Sequence, residues 1–163
     1  MIASLYGYTK IVEILLLQPG TNFNAVDNWG ETALMKASIM GHIEVIKLLL
    51  NQQGIAINAA DMFGWTALLK AAHSGHSAVV KLFLQVEGIE PFATDKGGRN
   101  AFMWACAKGH TNVAKLFLDH RGFEELNSTD NRGMTALMLA TLNNRSETVD
   151  FLASLDGISE ESK

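Results

Sequence analysis

Between residues 43 and 50 the stretch I-E-V-I-K-L-L-L places Val45, Leu48 and Leu49 at i, i+3 and i+4, which gathers them on one face of a helix. The segments A-V-V-K-L-F-L and V-A-K-L-F-L repeat that spacing downstream. Ahead of each lies a shorter Ala-Leu-rich stretch opened by Thr32 or Thr66, with Thr135 opening a further one, and their hydroxyls suit the free amides of a first helical turn. Asn100 stands at the same place in the third unit and is an equally good cap. The pattern predicts a short helix ending at Gly41, Gly75 or Gly109, then a second helix with a left-handed C-cap at Gly54, Gly88 or Gly122. Each unit then opens with a hairpin-like turn, in which Gly30, Gly64, Gly98 or Gly133 follows an aspartate by three positions and takes a positive φ.

The aspartates Asp27, Asp61, Asp95 and Asp130 are 34, 34 and 35 residues apart. Self-similarity at a fixed period of this size marks a solenoid, so the predicted fold class is an all-α stack of helix-turn-helix units. The motifs D-x-x-G-x-T-A-L-M-x-A and G-H-x-x-V-[IV]-K-L-[LF]-L run in register through almost the whole chain, and on them it resembles the ankyrin repeat family. The chain departs from the family's T-P-L-H. Ala33, Ala67, Ala101 and Ala136 replace its proline, and Met35, Leu69, Met103 and Met138 its histidine, so apolar packing is expected in place of a hydrogen-bonding bridge. The register divides the chain into one domain: a partial leading repeat at 1–26, full repeats at 27–60, 61–94 and 95–129, and a terminal repeat with a short polar tail at 130–163. M-I-A-S-L-Y-G-Y aligns with M-K-A-S-I-M-G-H, so the first unit lacks its turn and cap, as a piece of a longer array would. At the other end Asn144 and Arg145 replace Gly-His, and Asp150 stands where Lys47, Lys81 and Lys115 stood, a polar drift suited to a terminal cap.

Composition narrows the partners. At 48% hydrophobic and 18% charged the chain is ordinary globular material, and a formal charge of -4 gives no overall basic field for nucleic acid. The apolar run I-V-E-I-L-L-L is broken by Glu13 and is too short for a bilayer or a secretory signal, which predicts a cytoplasmic, intracellular protein away from membranes and, with it, chance status for the sequons at Asn127 and Asn144.

Candidate chemistry is thin. His42, His76 and His110 recur at one repeat position and read as structural. His73 and His76 are three apart, but Ser74-Gly75 separates them and no third ligand is near, so no metal is expected. Cys106 aligns with Ser38 and Ala72 and reads as a packed small residue. No phosphate-binding glycine frame occurs, and acids such as Glu124, Glu125, Glu160 and Glu161 read as exposed. The expected protein is therefore neither an enzyme nor a cofactor carrier. The resemblance implies a protein-binding module whose variable letters face a concave groove and its turn tips: Tyr6, Trp29, Ile39, Met40, Met62, Phe63, Trp65, His73, Lys96, Arg99, Lys108 and Arg132. Their aromatic-to-basic gradient suits a partner protein or peptide bound by a monomer; the alternative is a structural spacer within a larger scaffold.

Overall fold

The computed structural model describes residues 1–121 and 126–155; Gly122, Glu124, Glu125, Glu160 and Glu161 lie outside the described residues. Among the described residues there are ten helices and no strand, and the helices fall into five successive pairs: α1 (Ile2–Leu5) with α2 (Thr9–Leu16), α3 (Ala33–Met40) with α4 (Ile43–Leu50), α5 (Ala67–His73) with α6 (Ser77–Leu84), α7 (Ala101–Lys108) with α8 (Thr111–Arg121), and α9 (Ala136–Leu142) with α10 (Ser146–Ala153). The first helices stack in series, α1 on α3, α3 on α5, α5 on α7 and α7 on α9, and the second helices stack behind them.

The caps form as the sequence predicts. Thr32 Oγ1 accepts from Met35 N at 3.2 Å, Thr66 Oγ1 from Leu69 N at 3.2 Å, Asn100 Oδ1 from Met103 N at 2.9 Å and Thr135 Oγ1 from Met138 N at 3.3 Å. Met35, Leu69 and Met103, at the position of the missing histidine, are buried, and Met138 is partly so. Each unit's turn closes on its aspartate: in the second, Asp61 N donates to Trp65 O at 3.0 Å while Asp61 Oδ1 accepts from the amides of Phe63 and Trp65. Successive tips are then joined through the backbone, Met62 N to Trp29 O and Lys96 N to Phe63 O, both at 2.9 Å. Gly64, with φ +83°, lies where a Cβ would be 2.9 Å from Lys96 N, so both conformation and space demand glycine.

Two expectations change. The second helices do not end on a left-handed glycine: α4 and α6 are capped by Asn51 and Gln85 in right-handed conformation. Gly54 and Gly88 come three residues later, at the third position of turns closed by Ile55 N to Gln52 O and Ile89 N to Val86 O, where positive φ is required. The buried stripe of α4 is Val45, Ile46 and Leu49 rather than Val45, Leu48 and Leu49, with Leu48 half-buried. This helix packs against α3 of its own pair and against α2 and α6, which widens the face that must be apolar.

Histidine joins each pair to the one before it. His42 Nε2 lies 3.0 Å from Leu5 O, His76 Nε2 3.0 Å from Ile39 O and His110 Nε2 3.0 Å from His73 O. Each ring sits on the glycine of the preceding unit, so that a Cβ on Gly41 would lie 2.7 Å from His76. Arg145 takes over at the last junction, donating from Nε to Ala107 O at 3.3 Å. On the other side of the stack Asn24 and Asn58 span units, each donating to one backbone carbonyl and accepting from one amide of the next turn.

Candidate functional site

The face built by the turns and the first helices carries most of the predicted residues, and it divides into three regions. At the tips of the first two turns Trp29 and Phe63 are exposed and stack with ring centroids 6.4 Å apart, beside exposed Met62. The backbone bond between the tips holds the two rings in register.

Below them lies a charge network. Lys36 Nζ reaches Asp27 Oδ2 at 2.8 Å and also pairs with Glu31; Lys70 Nζ reaches Glu31 Oε1 at 2.6 Å and Asp61 Oδ2 at 2.9 Å. Lys70 and Asp61 are almost wholly enclosed, with side chains only 7% and 3% exposed. The bond from Lys36 pulls the Asp27 carboxyl down to about 2. Burial alone would raise Asp61 and Glu31; for Asp61 the Lys70 ammonium and the turn amides outweigh it, and for Glu31 Lys36 and Lys70 do, so both stay below the usual carboxylate range. These five charged groups thus pair with one another.

Further along, the same face becomes aromatic and cationic. Trp65 and Trp104 meet at 4.9 Å between centroids, and the His73 ring lies edge-on to both, 5.0 Å from Trp65 and 5.2 Å from Trp104. Trp104 Nε1 donates to Asp95 Oδ2 at 2.8 Å, which fixes the plane of the indole. Arg99, anchored by Asp130 Oδ2 at 2.8 Å, lies 5.0 Å over the Trp104 ring, and Lys108 lies 5.8 Å from its centroid. Burial, then Lys108, lowers the His73 pKa, so the imidazole favours its neutral form. Lys108 has no ion pair, and Lys96 and Arg132, exposed at the later tips, have none either among the described residues.

The remaining predicted residues sit apart from these clusters. Tyr6 is exposed and stacks on Tyr8 at 5.8 Å, at the start of the stack. Met40 is exposed at the end of α3, and neighbouring Ile39 is half-buried with its carbonyl engaged by His76. His73 and His76 serve different neighbours, one packed between tryptophans and the other bonded to the unit before it. No group of three or more His, Cys, Asp or Glu that could hold a metal ion occurs among the described residues. Cys106 is fully buried, and burial pushes its thiol far above the ordinary range.

Sequence reasoning did not single out Lys36, Lys70 or Trp104. All three occupy one column, the unspecified letter of T-A-L-M-x-A, and its change from lysine to lysine to tryptophan is the signal that could have found them.

A family model described as "Ankyrin repeats (3 copies)" matches residues 1–95 and again residues 75–163. No curated protein sequence matches the chain. No helix among the described residues is long and apolar enough to cross a membrane.

Proposed function

Because the chain belongs to the ankyrin repeat family, whose repeats are generally protein-protein interaction modules, we propose that it binds a partner protein without catalysis through the face of its turns and first helices. The observation that carries this reading is the cluster of Trp65, His73 and Trp104 ringed by Arg99 and Lys108, the latter without an ion pair among the described residues. A surface of fixed indoles beside uncompensated positive charge is complementary to a segment that offers apolar side chains and carboxylates together. The exposed Trp29–Phe63 stack lies toward the start of the stack and Lys96, Lys108 and Arg132 toward its end, so the segment would run with its apolar anchor toward the first repeats and its acids toward the last. Ankyrin repeat proteins are commonly intracellular, which supports a cytoplasmic partner.

The test is a random-peptide display selection against the immobilised chain. Enriched sequences are expected to pair a bulky apolar residue with acidic ones, and to lose binding to Trp65→Ala and to the Lys96→Glu/Lys108→Glu pair. Peptides that bind both variants as tightly as the parent would leave the spacer reading as the better one.

A further inference from the structure

The third turn departs from the two before it at a single letter. Trp29 and Phe63 stand two residues after Asp27 and Asp61, and their rings stack on each other at the first two tips. Gly97 holds that place after Asp95. The turn itself does not ask for glycine there. The Trp29 and Phe63 amides donate to Asp27 Oδ1 and Asp61 Oδ1 at 2.9 and 2.8 Å, and the Gly97 amide donates to Asp95 Oδ1 at 2.8 Å in the same way. In all three turns the positive φ falls on the next residue, Gly30, Gly64 or Gly98. What Gly97 changes is space. With no ring at this tip, a cleft of about 270 Å³ lies between the third and fourth turns, and Trp104, Arg99 and Arg132 are among the residues that line it. At the first two turns a ring stands at the tip, and the lysine below it, Lys36 or Lys70, is paired with carboxylates.

We infer that this cleft is the subsite for one side-chain carboxylate, of glutamate or aspartate, in the partner segment, an inference that rests on the protein-binding reading above. The donors point to that chemistry. Arg99 spends Nε on Asp130 and lays its guanidinium over Trp104, while its terminal nitrogens have no partner among the described residues. Arg132 has no ion pair among them either, and its backbone is held at the tip by the bond from its amide to Asp130 Oδ1 at 2.9 Å. The two carboxylates in the cleft are already engaged. Asp95 accepts from the amides of Gly97 and Arg99 and from Trp104 Nε1, and Asp130 from the amides of Arg132 and Met134 and from Arg99 Nε. Lys96, next to Gly97 in the chain, and Lys108, near the Trp104 ring, bring the cations around the cleft to four against those two acids. A planar carboxylate can take paired N–H donors from a guanidinium, whereas an apolar side chain in the same place would cover those donors and leave them unbonded. Gly97 thereby determines specificity, by leaving out the ring that would close the tip.

The experiment runs the random-peptide display selection in parallel on the parent and on Gly97→Phe, which gives the third tip the residue that the second carries. Glutamate or aspartate is expected at one position in fixed register with the apolar anchor, enriched at least about tenfold more on the parent than on Gly97→Phe. An enriched peptide is then made with an amidated C-terminus. Changing its acid to the amide and changing Arg132→Gln, at an exposed tip, should each weaken binding at least about fivefold, and together no more than either alone. Peptides that depend on Trp65 but carry their acid equally on both proteins, or whose acid is indifferent to Arg132→Gln, overturn the inference and leave the protein-binding reading standing. Binding that survives only with a free C-terminus also overturns it, because the cleft would then take a chain end. A selection that enriches no sequence removes both readings together.

Discussion

Two halves of one face use the same repeat positions for opposite ends. In the leading half the letters after the turn glycine and after T-A-L-M are Glu31, Lys36 and Lys70, and their charges are consumed by one another and by Asp27 and Asp61. In the trailing half the equivalent letters are Trp65, Arg99 and Trp104, and the result is a fixed aromatic floor with Lys108 left over. Stacking brings Lys70 beside Glu31 of the unit before it as well as its own Asp61, so a lysine column and its neighbouring carboxylates neutralise one another, whereas neighbouring indoles only gather cations. The first arrangement ties neighbouring repeats together, and the second places indoles and cations side by side on the proposed binding face.

The largest effect that would break this contrast is on stability. Lys70→Met leaves Glu31 and buried Asp61 without their shared cation and is expected to cost about 3 kcal/mol in urea unfolding, since removing one member of a buried ion network strands the others. Lys36→Met, at a more open site, should cost about 1 kcal/mol. Equal losses would mean that the network is not organised around Lys70.

Binding comes next. Phe63→Ala or Trp65→Ala should weaken a selected peptide by about 2 kcal/mol, mainly through a faster off-rate, with the helical circular dichroism intact. Charge reversal at Lys96 and Lys108 should act instead on the on-rate, lowering it about tenfold at low salt and less at high salt. If the reversed variant loses affinity only through its off-rate, those lysines are contact residues rather than steering charges.

A smaller effect sharpens the role of His73. Burial lowers the pKa of both His73 and His110, so the unfolded chain takes up protons that the folded chain refuses. Stability from this source is fully present above the ordinary histidine value of 6.5 and is lost as pH falls below it toward the folded values. The midpoint of unfolding should drop between pH 7 and pH 5, and His73→Phe, which keeps a ring between the tryptophans, should shrink that drop. An unchanged pH profile in His73→Phe would assign the effect elsewhere.

The smallest change serves as a control behind both halves. Cys106→Ala removes a sulfur from a fully buried small-residue position and should cost about 1 kcal/mol or less, with binding unaltered. In the parent, a bulky thiol reagent should react only after unfolding.

The repeat, its period and its caps were legible in the sequence because they depend on contacts within a few residues: a threonine before its own helix, or a glycine that must take positive φ in its own turn. The histidine column was legible for a related reason, since anything that recurs with the unit serves the unit. What each variable letter does was not legible. Trp65 finds Trp104 across 39 residues only after α5 and α7 have stacked, and whether Lys36 and Lys70 project as free cations or vanish into a network depends on the carboxylates that stacking brings within reach. Gly54 could not be placed either, because a helix end and the turn just beyond it call for the same residue. Leu48 and Leu49 are adjacent leucines of one motif, and composition treats them alike; Leu49 is buried and Leu48 half-buried because of how α4 packs against α2, α3 and α6, which only the tertiary structure decides.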